Sequence, residues 1–259
     1  MARPYSGRKS FFVVTVIAAI PARYAAARLP GKPLLDLGGK PIIAHVVEAA
    51  LDCSEIDAVL VATDHQDIAK AARVAGAVVE MTDPNLPSGS DRIGCALQGR
   101  DYELALNIQG DEPEIDPDAL GQLILAMRAQ PQADIGTLSA PLGPGQLFDP
   151  HAVKVVCDQR GFALYFSRAP IGADREALIS TMTDSVSAAR RHVGVYAYRK
   201  RALEQFLACE PSALEQLERL EQLRALEMGM RIVVVPVDKA PRGIDTHDDL
   251  IAARRRFAE

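Results

Sequence analysis

"FFVVTVIAAIPARYAAARLPGKPL", residues 11–34, decides the fold. Its first ten residues are apolar and rich in β-branched side chains, and they stop at a proline, as an interior strand covered on both faces would. The segment after them carries Arg23, Arg28 and Lys32, three cations in a chain that is acidic overall. Ligands of open α/β sheets bind beyond the carboxyl ends of strands, so this loop is placed to meet a polyphosphate. A solvated basic loop without function would show the same charges.

Working outward, apolar runs at 57–63, 77–81 and 103–109 read as further strands. Between them "PIIAHVVEAALDC" puts Pro41 at a first helical position, and "DHQDIAKAARVAG" stops at Gly76, so both read as crossover helices of βαβ units. The second half offers strand-like "DIGTLSAP", "VKVVCD", "FALYFS" and "RHVGVYAY" with no helices between them, which predicts an antiparallel excursion from the parallel sheet. Helices are expected at 199–209 and 212–228, then a strand "RIVVVPV" and a closing helix from Thr246. The expected organisation is α/β: a flexible tail at 1–10 and a single domain at 11–259, mainly parallel and Rossmann-like, with an inserted antiparallel lobe at about 150–200.

The 259 residues are 48% apolar, enough for a substantial core. A net charge of −5, with both signs interspersed, provides no polybasic field for nucleic acid or an anionic membrane surface. The four cysteines form no CxxC pair and no metal-spaced cluster with histidine, so reduced thiols are expected. "MARPYSGRKS" followed by the apolar run has the outline of a secretory signal peptide, but cleavage there would delete the first strand. No run reaches the roughly 18 to 20 apolar residues of a membrane span, and a cytoplasmic protein is expected.

Four other segments hold chemistry. The loop around Gly31-Lys32 is not a Walker A loop, because Pro33 replaces the Mg²⁺-binding hydroxyl and no glycine stands five residues before Gly31; a GxGxxG fingerprint is also absent. "PSGSDR", 87–92, presents Ser88, Gly89, Ser90 and Arg92 at a helix start, where anions are favoured and where an ordinary cap would look the same. "NIQGDEP", 107–113, runs from a strand into Gln109, Asp111 and Glu112, and a carboxylate there suits Mg²⁺ as well as a solvated turn. In "RGIDTHDDL", 242–250, Thr246 and Asp249 make a capping box and leave Asp245 as a possible metal partner of Asp111. Glu218, Glu221, Gln222 and Arg224 share one amphipathic segment, and His192 precedes a strand; both patterns are ordinarily structural.

Taken together, "IPARYAAARLPGKPL", "VATDHQDI", "SGSDR", "NIQGDEP", "ALYFSRAPI", "HVGVYAY", "LEQLRALEMG" and "GIDTHDDL", in this order, resemble the 3-deoxy-manno-octulosonate (Kdo) cytidylyltransferases, or CMP-Kdo synthetases, over nearly the whole chain from about residue 12. The resemblance implies a nucleotide-diphospho-sugar transferase fold, a homodimer, Mg²⁺ as cofactor, and the reaction of CTP with Kdo to give CMP-Kdo and pyrophosphate for lipopolysaccharide biosynthesis. It makes Arg23 and Lys32 triphosphate-binding cations. Ala22, Ser88, Gly89, Arg92 and Gln109 fall at nucleotide positions, and Asp111 and Asp245 at the metal ligands. Gln109, Arg168, His192, Tyr196, Glu221 and Gln222 fall in the sugar-acid pocket. After "FSRAPI" this chain runs "GADREALISTMTDSVSAARRH" where the family continues with a short Pro- or Trp-containing stretch and a basic residue. That difference leaves an 8-amino analogue of Kdo or a sialic acid as alternative acceptors. A non-catalytic nucleotide-binding regulator of the same fold is the alternative from another class.

Overall fold

The computed structural model describes residues 15–25, 29–175 and 187–257. The tail at 1–10, the start of the first expected strand at 11–14, Arg28, and most of the divergent stretch after "FSRAPI" lie outside the described residues. The strand itself, β1 (Val16–Ala22), is buried at every position. Parallel to it on one side run β4 (Ala58–Thr63) and then β5 (Val78–Met81), and on its other side β6 (Leu104–Asn107). Two-residue strands β2 (Asp36–Leu37) and β3 (Lys40–Pro41) form a separate ribbon.

The helices that link these strands are α1 (Ile42–Asp52), α2 (Gln66–Val74) and α3 (Gly89–Leu97), and α4 (Pro117–Ala129) leaves β6. Side-chain alternation along β1 sorts them into two layers. Val16, Ala18 and Ile20 join the core of α1, α2 and α4, whereas Ile17 and Ala19 join Ile93, Ala96 and Leu97 of α3. Pro41 is the N-cap of α1 in an extended conformation, so the helix begins at Ile42, one residue later than the sequence suggests. Gly76 does stand just past the end of α2, at φ 102°, the left-handed region that glycine enters without strain.

Beyond β6 the sheet continues through β10 (Arg190–Arg199), which is antiparallel to both β6 and β7 (Ile135–Ala140), and ends at β11 (Ile232–Pro236), parallel to β7. β8 (Lys154–Cys157) and β9 (Ala163–Ser167) form an antiparallel pair, and β8 also joins the start of β10. The antiparallel excursion is therefore real, and the path across the sheet is β5-β4-β1-β6-β10-β7-β11. The register of β10 on β7 shifts between Val193 and Tyr196, and the Thr137 hydroxyl, which donates to Val195 O at 2.8 Å, fills the bulge.

α5 (Lys200–Leu207) follows β10 directly. The single helix expected at 212–228 is two: α6 (Ala213–Glu218) and α7 (Glu221–Glu227). They are divided at Arg219, whose φ of 53° is left-handed. Glu218 and Glu221 thus do not share one helical face. The closing helix, α8 (His247–Arg256), begins at the Thr246 capping box as read from sequence.

Because β4 lies on one side of β1 and β6 on the other, the chain reverses its direction of travel across the sheet at β1. A crevice opens at such a switch point beyond the carboxyl ends of the strands.

Candidate active site

The crevice is a cleft of about 430 Å³, within the range of small-molecule sites. β1 delivers Ala22 and Arg23, and β6 delivers Gln109, Gly110 and Asp111. A Cβ on Gly110 would come within 2.9 Å of Pro21 O, so only glycine lets the two strand ends abut this closely. Ser88, Gly89 and Arg92 come from the start of α3, Glu221 from the start of α7, and Asp245 from the turn before α8. Lys32 lines the same cleft; Gly31 before it turns at φ 68°, and its N–H closes the loop on Tyr24 O at 2.9 Å.

Asp111 and Asp245 meet on one ammonium: Lys32 Nζ donates to Asp111 Oδ2 at 2.5 Å and to Asp245 Oδ1 at 3.0 Å. Burial alone would depress the Lys32 pKa, but the two carboxylates outweigh it and hold the amine above its ordinary value. Lys32 is thus engaged with both aspartates, a contact that the sequence reading did not foresee.

The "SGSDR" segment is a cap and a cleft wall at once. Ser88 Oγ accepts from Asp91 N at 3.1 Å, Ser90 Oγ donates to Glu221 Oε2 at 2.6 Å, and Arg92 is buried. Asn107, which the sequence reading left without a role, accepts from Gln109 Nε2 at 3.3 Å and so braces that side chain.

Of the residues expected in a sugar-acid pocket, Arg168, His192, Tyr196 and Gln222 do not line the cleft. His192 faces Phe166 edge-on at 5.1 Å and pairs with the Thr137 hydroxyl at 3.0 Å; desolvation pushes its pKa down to about 3, so it is neutral. Tyr196 stands 5.4 Å from the His192 ring, with its phenol raised well above the usual range by burial. Gln222 is buried, and its Nε2 has no hydrogen-bond partner among the described residues. The Arg168 guanidinium donates to three backbone oxygens: Glu218 O at 2.8 Å, Pro150 O at 3.0 Å and Arg219 O at 3.5 Å.

Residues 17–232 match the model of a family described as cytidylyltransferase. The chain is 47% identical over 237 residues to a 3-deoxy-manno-octulosonate cytidylyltransferase of Thioalkalivibrio sulfidiphilus, covering 90% of this chain and 94% of the relative. To a protein of the same name from Rhodopseudomonas palustris it is 48% identical over 251 residues, covering 93% and 97%. This chain belongs to the cytidylyltransferase family. A solved CMP-2-keto-3-deoxy-manno-octonic acid synthetase complexed with CTP superposes with a TM-score of 0.87 at 38% identity, covering 94% of this chain and 98% of that one.

In this cytidylyltransferase the donor set suits Mg²⁺. Two hard carboxylates converge from separate loops on a point that a cation already occupies, and Mg²⁺ is usually held by one or two carboxylates with substrate phosphates completing its shell. Among the described residues no cluster of three or more His, Cys, Asp or Glu offers an alternative centre. Glu112 lies beside this pair. Burial first, then the Asp111 charge, pushes its carboxyl up to about 8, and its Oε2 is a buried atom without a hydrogen-bond partner among the described residues. Its neighbours come from far along the chain: a Cβ on Gly194, in the β10 bulge, would stand 4.0 Å from Glu112 Oε1, and nothing local in "NIQGDEP" signals this.

Proposed function

We propose that this cytidylyltransferase activates Kdo with CTP, giving CMP-Kdo and pyrophosphate. The carrying observation is the convergence of Asp111 and Asp245 on Lys32 inside a cleft walled by Arg23, Arg92 and the α3 start. The anomeric hydroxyl of Kdo attacks the α-phosphorus of CTP in line with the departing pyrophosphate. The protein then acts by holding reactants and offsetting charge, with no covalent intermediate. Arg23 and Lys32 offset the charge that grows on the leaving pyrophosphate, and the α3 start with Gln109 holds the nucleotide. Mg²⁺ held by Asp111 and Asp245 would neutralise phosphate charge and make the attacking hydroxyl more acidic.

On the sugar side, a neutral His192 reads hydroxyls without competing for a carboxylate, and Gln222 Nε2, without a hydrogen-bond partner among the described residues, supports a role in donating to the sugar acid. Arg168, Tyr196 and Glu221 complete the pocket in this reading. We place the enzyme in the cytoplasm as a homodimer serving lipopolysaccharide synthesis, with the segment at about 150–200, β8 and β9 included, as its dimerisation and substrate lobe. No described helix is long and apolar enough to cross a membrane.

A pyrophosphate-release panel tests the reading: CTP, UTP and ATP crossed with Kdo, 8-amino-Kdo and a sialic acid. Release with CTP and Kdo above all other pairs is expected. CTP binding without release for any acceptor would turn the chain into a nucleotide-binding regulator, and preference for another acceptor would reassign the sugar pocket.

A further inference from the structure

"VATDHQDI", 61–68, is part of the resemblance, yet nothing so far gives its aspartate a task. Asp64 stands just beyond the end of β4, and its two carboxylate oxygens serve two different walls of the cleft. Oδ1 accepts from the backbone N–H of Tyr24 at 3.1 Å, and Oδ2 accepts from Arg92 Nη2 at 3.5 Å. The ion pair is nearly dry, with side-chain exposures of 3% for Arg92 and 7% for Asp64.

Each wall is fixed to the same place by a second bond. Arg92 Nη1 donates to Thr82 Oγ1 at 2.5 Å, and Thr82 N–H donates to Thr63 O, next to Asp64, at 2.8 Å. Tyr24 O accepts from Gly31 N–H at 2.9 Å, and the Tyr24 ring stacks on His65 with centroids 4.1 Å apart. Tyr24 is therefore the point at which the loop bearing Arg23 and Lys32 is fastened to the body of the sheet. Asp64 itself does not line the cleft.

We propose that Asp64 is a positioning residue for the triphosphate end of the cleft. By binding the Arg23 loop and the Arg92 guanidinium to one carboxylate, it sets the separation of two cleft cations before nucleotide arrives. The charge matters for a stated reason: a neutral acceptor could still hold the Tyr24 N–H, but it would leave Arg92 buried without a counter-ion, free to turn towards any other acceptor. The geometry matters too, since one added methylene would push the loop and the guanidinium apart.

This proposal rests on the CTP reading, which turnover by the wild-type enzyme checks before any variant is assayed. Asp64→Asn and Asp64→Glu are compared with wild type by steady-state kinetics, varying CTP and sugar acid separately, with thermal melts and calorimetric CTP affinity in parallel. Asp64→Asn should raise KM and Kd for CTP roughly tenfold, the scale of a lost charged hydrogen bond, and leave KM for the sugar acid unchanged. Asp64→Glu, which keeps the charge and moves it, should show the same split and supplies the answer if the Asn variant does not fold. An unchanged CTP affinity in a folded variant overturns the proposal. So does a parallel rise in both KM values, which would mean general loosening, or a fall in kcat alone, which would put Asp64 in the chemistry.

Discussion

At the carboxyl ends of β1 and β6, the polar residues are charged, partly wet and gathered around a cleft; along β10 and the segments packed on it, they are enclosed and matched to one another. Side chains of Lys32 and Asp111 keep 11% and 33% of their exposure, and Asp245 keeps 59%. By contrast, His192 and Tyr196 have pKa values displaced by burial towards their neutral forms, and the half-buried Arg168 is bonded to three carbonyls. The first group can exchange its partners for a charged ligand at small cost to the fold. The second cannot, because a buried polar group that loses its partner bears the full desolvation penalty. Substitution on the first side should therefore act on turnover, and on the second side on stability as well.

The sharpest test is at the metal pair. Asp111→Asn or Asp245→Asn should lower kcat at saturating CTP on the order of 10³-fold, with a melting temperature near that of wild type. Near-normal turnover in either would remove the metal assignment. Lys32→Ala should cost less, on the order of 10²-fold in kcat, the range found for one charge-stabilising donor. An unchanged rate would leave Lys32 as a clasp for the two aspartates and nothing more.

Arg168 probes the other side. Two of its three bonds hold Glu218 O and Arg219 O, the carbonyls flanking the left-handed break between α6 and α7, two residues before cleft-lining Glu221. Arg168→Ala should destabilise the protein by about 2 kcal/mol in urea melts. It should also raise KM for the sugar acid, because Glu221 is placed by that break. A variant with weakened sugar-acid binding and an unaltered melt would show that Arg168 belongs with the wet group, and the contrast between the two sides would fail.

The same contrast explains what could be read in advance. Strands β1, β4 and β6 were legible because interior strands are continuous apolar runs, edge strand β5 because its run is β-branched, and Thr246 because a capping box is local chemistry. Arg23, Gln109 and Asp111 sit where strand ends put them, so their neighbourhood followed from topology. The division of 212–228 at Arg219 was not legible, since an arginine at positive φ has no sequence signal. Nor were the surroundings of Glu112 and Asp64, whose neighbours are far off in sequence. A sugar-acid role for Arg168, His192, Tyr196 and Gln222 rests on the resemblance, whereas spacing alone supports only structural readings.

The smallest expected effect, and the most direct check on enclosure, is the pH dependence carried by His192. Its pKa is about 3 in the folded protein against an ordinary 6.5, with desolvation as the cause. Below pH 6.5 the unfolded chain takes up a proton that the folded chain refuses, so stability is lost as pH falls towards 3 and is fully present above 6.5. His192→Gln keeps a partner for the Thr137 hydroxyl and does not titrate, so it should melt below wild type at pH 7.5 and draw level as the pH is lowered. Urea melts of both proteins from pH 7.5 to 4.5 measure that convergence. If the gap between them is independent of pH, His192 titrates as a wet histidine does, and the β10 side of the sheet is as open to solvent as the cleft side.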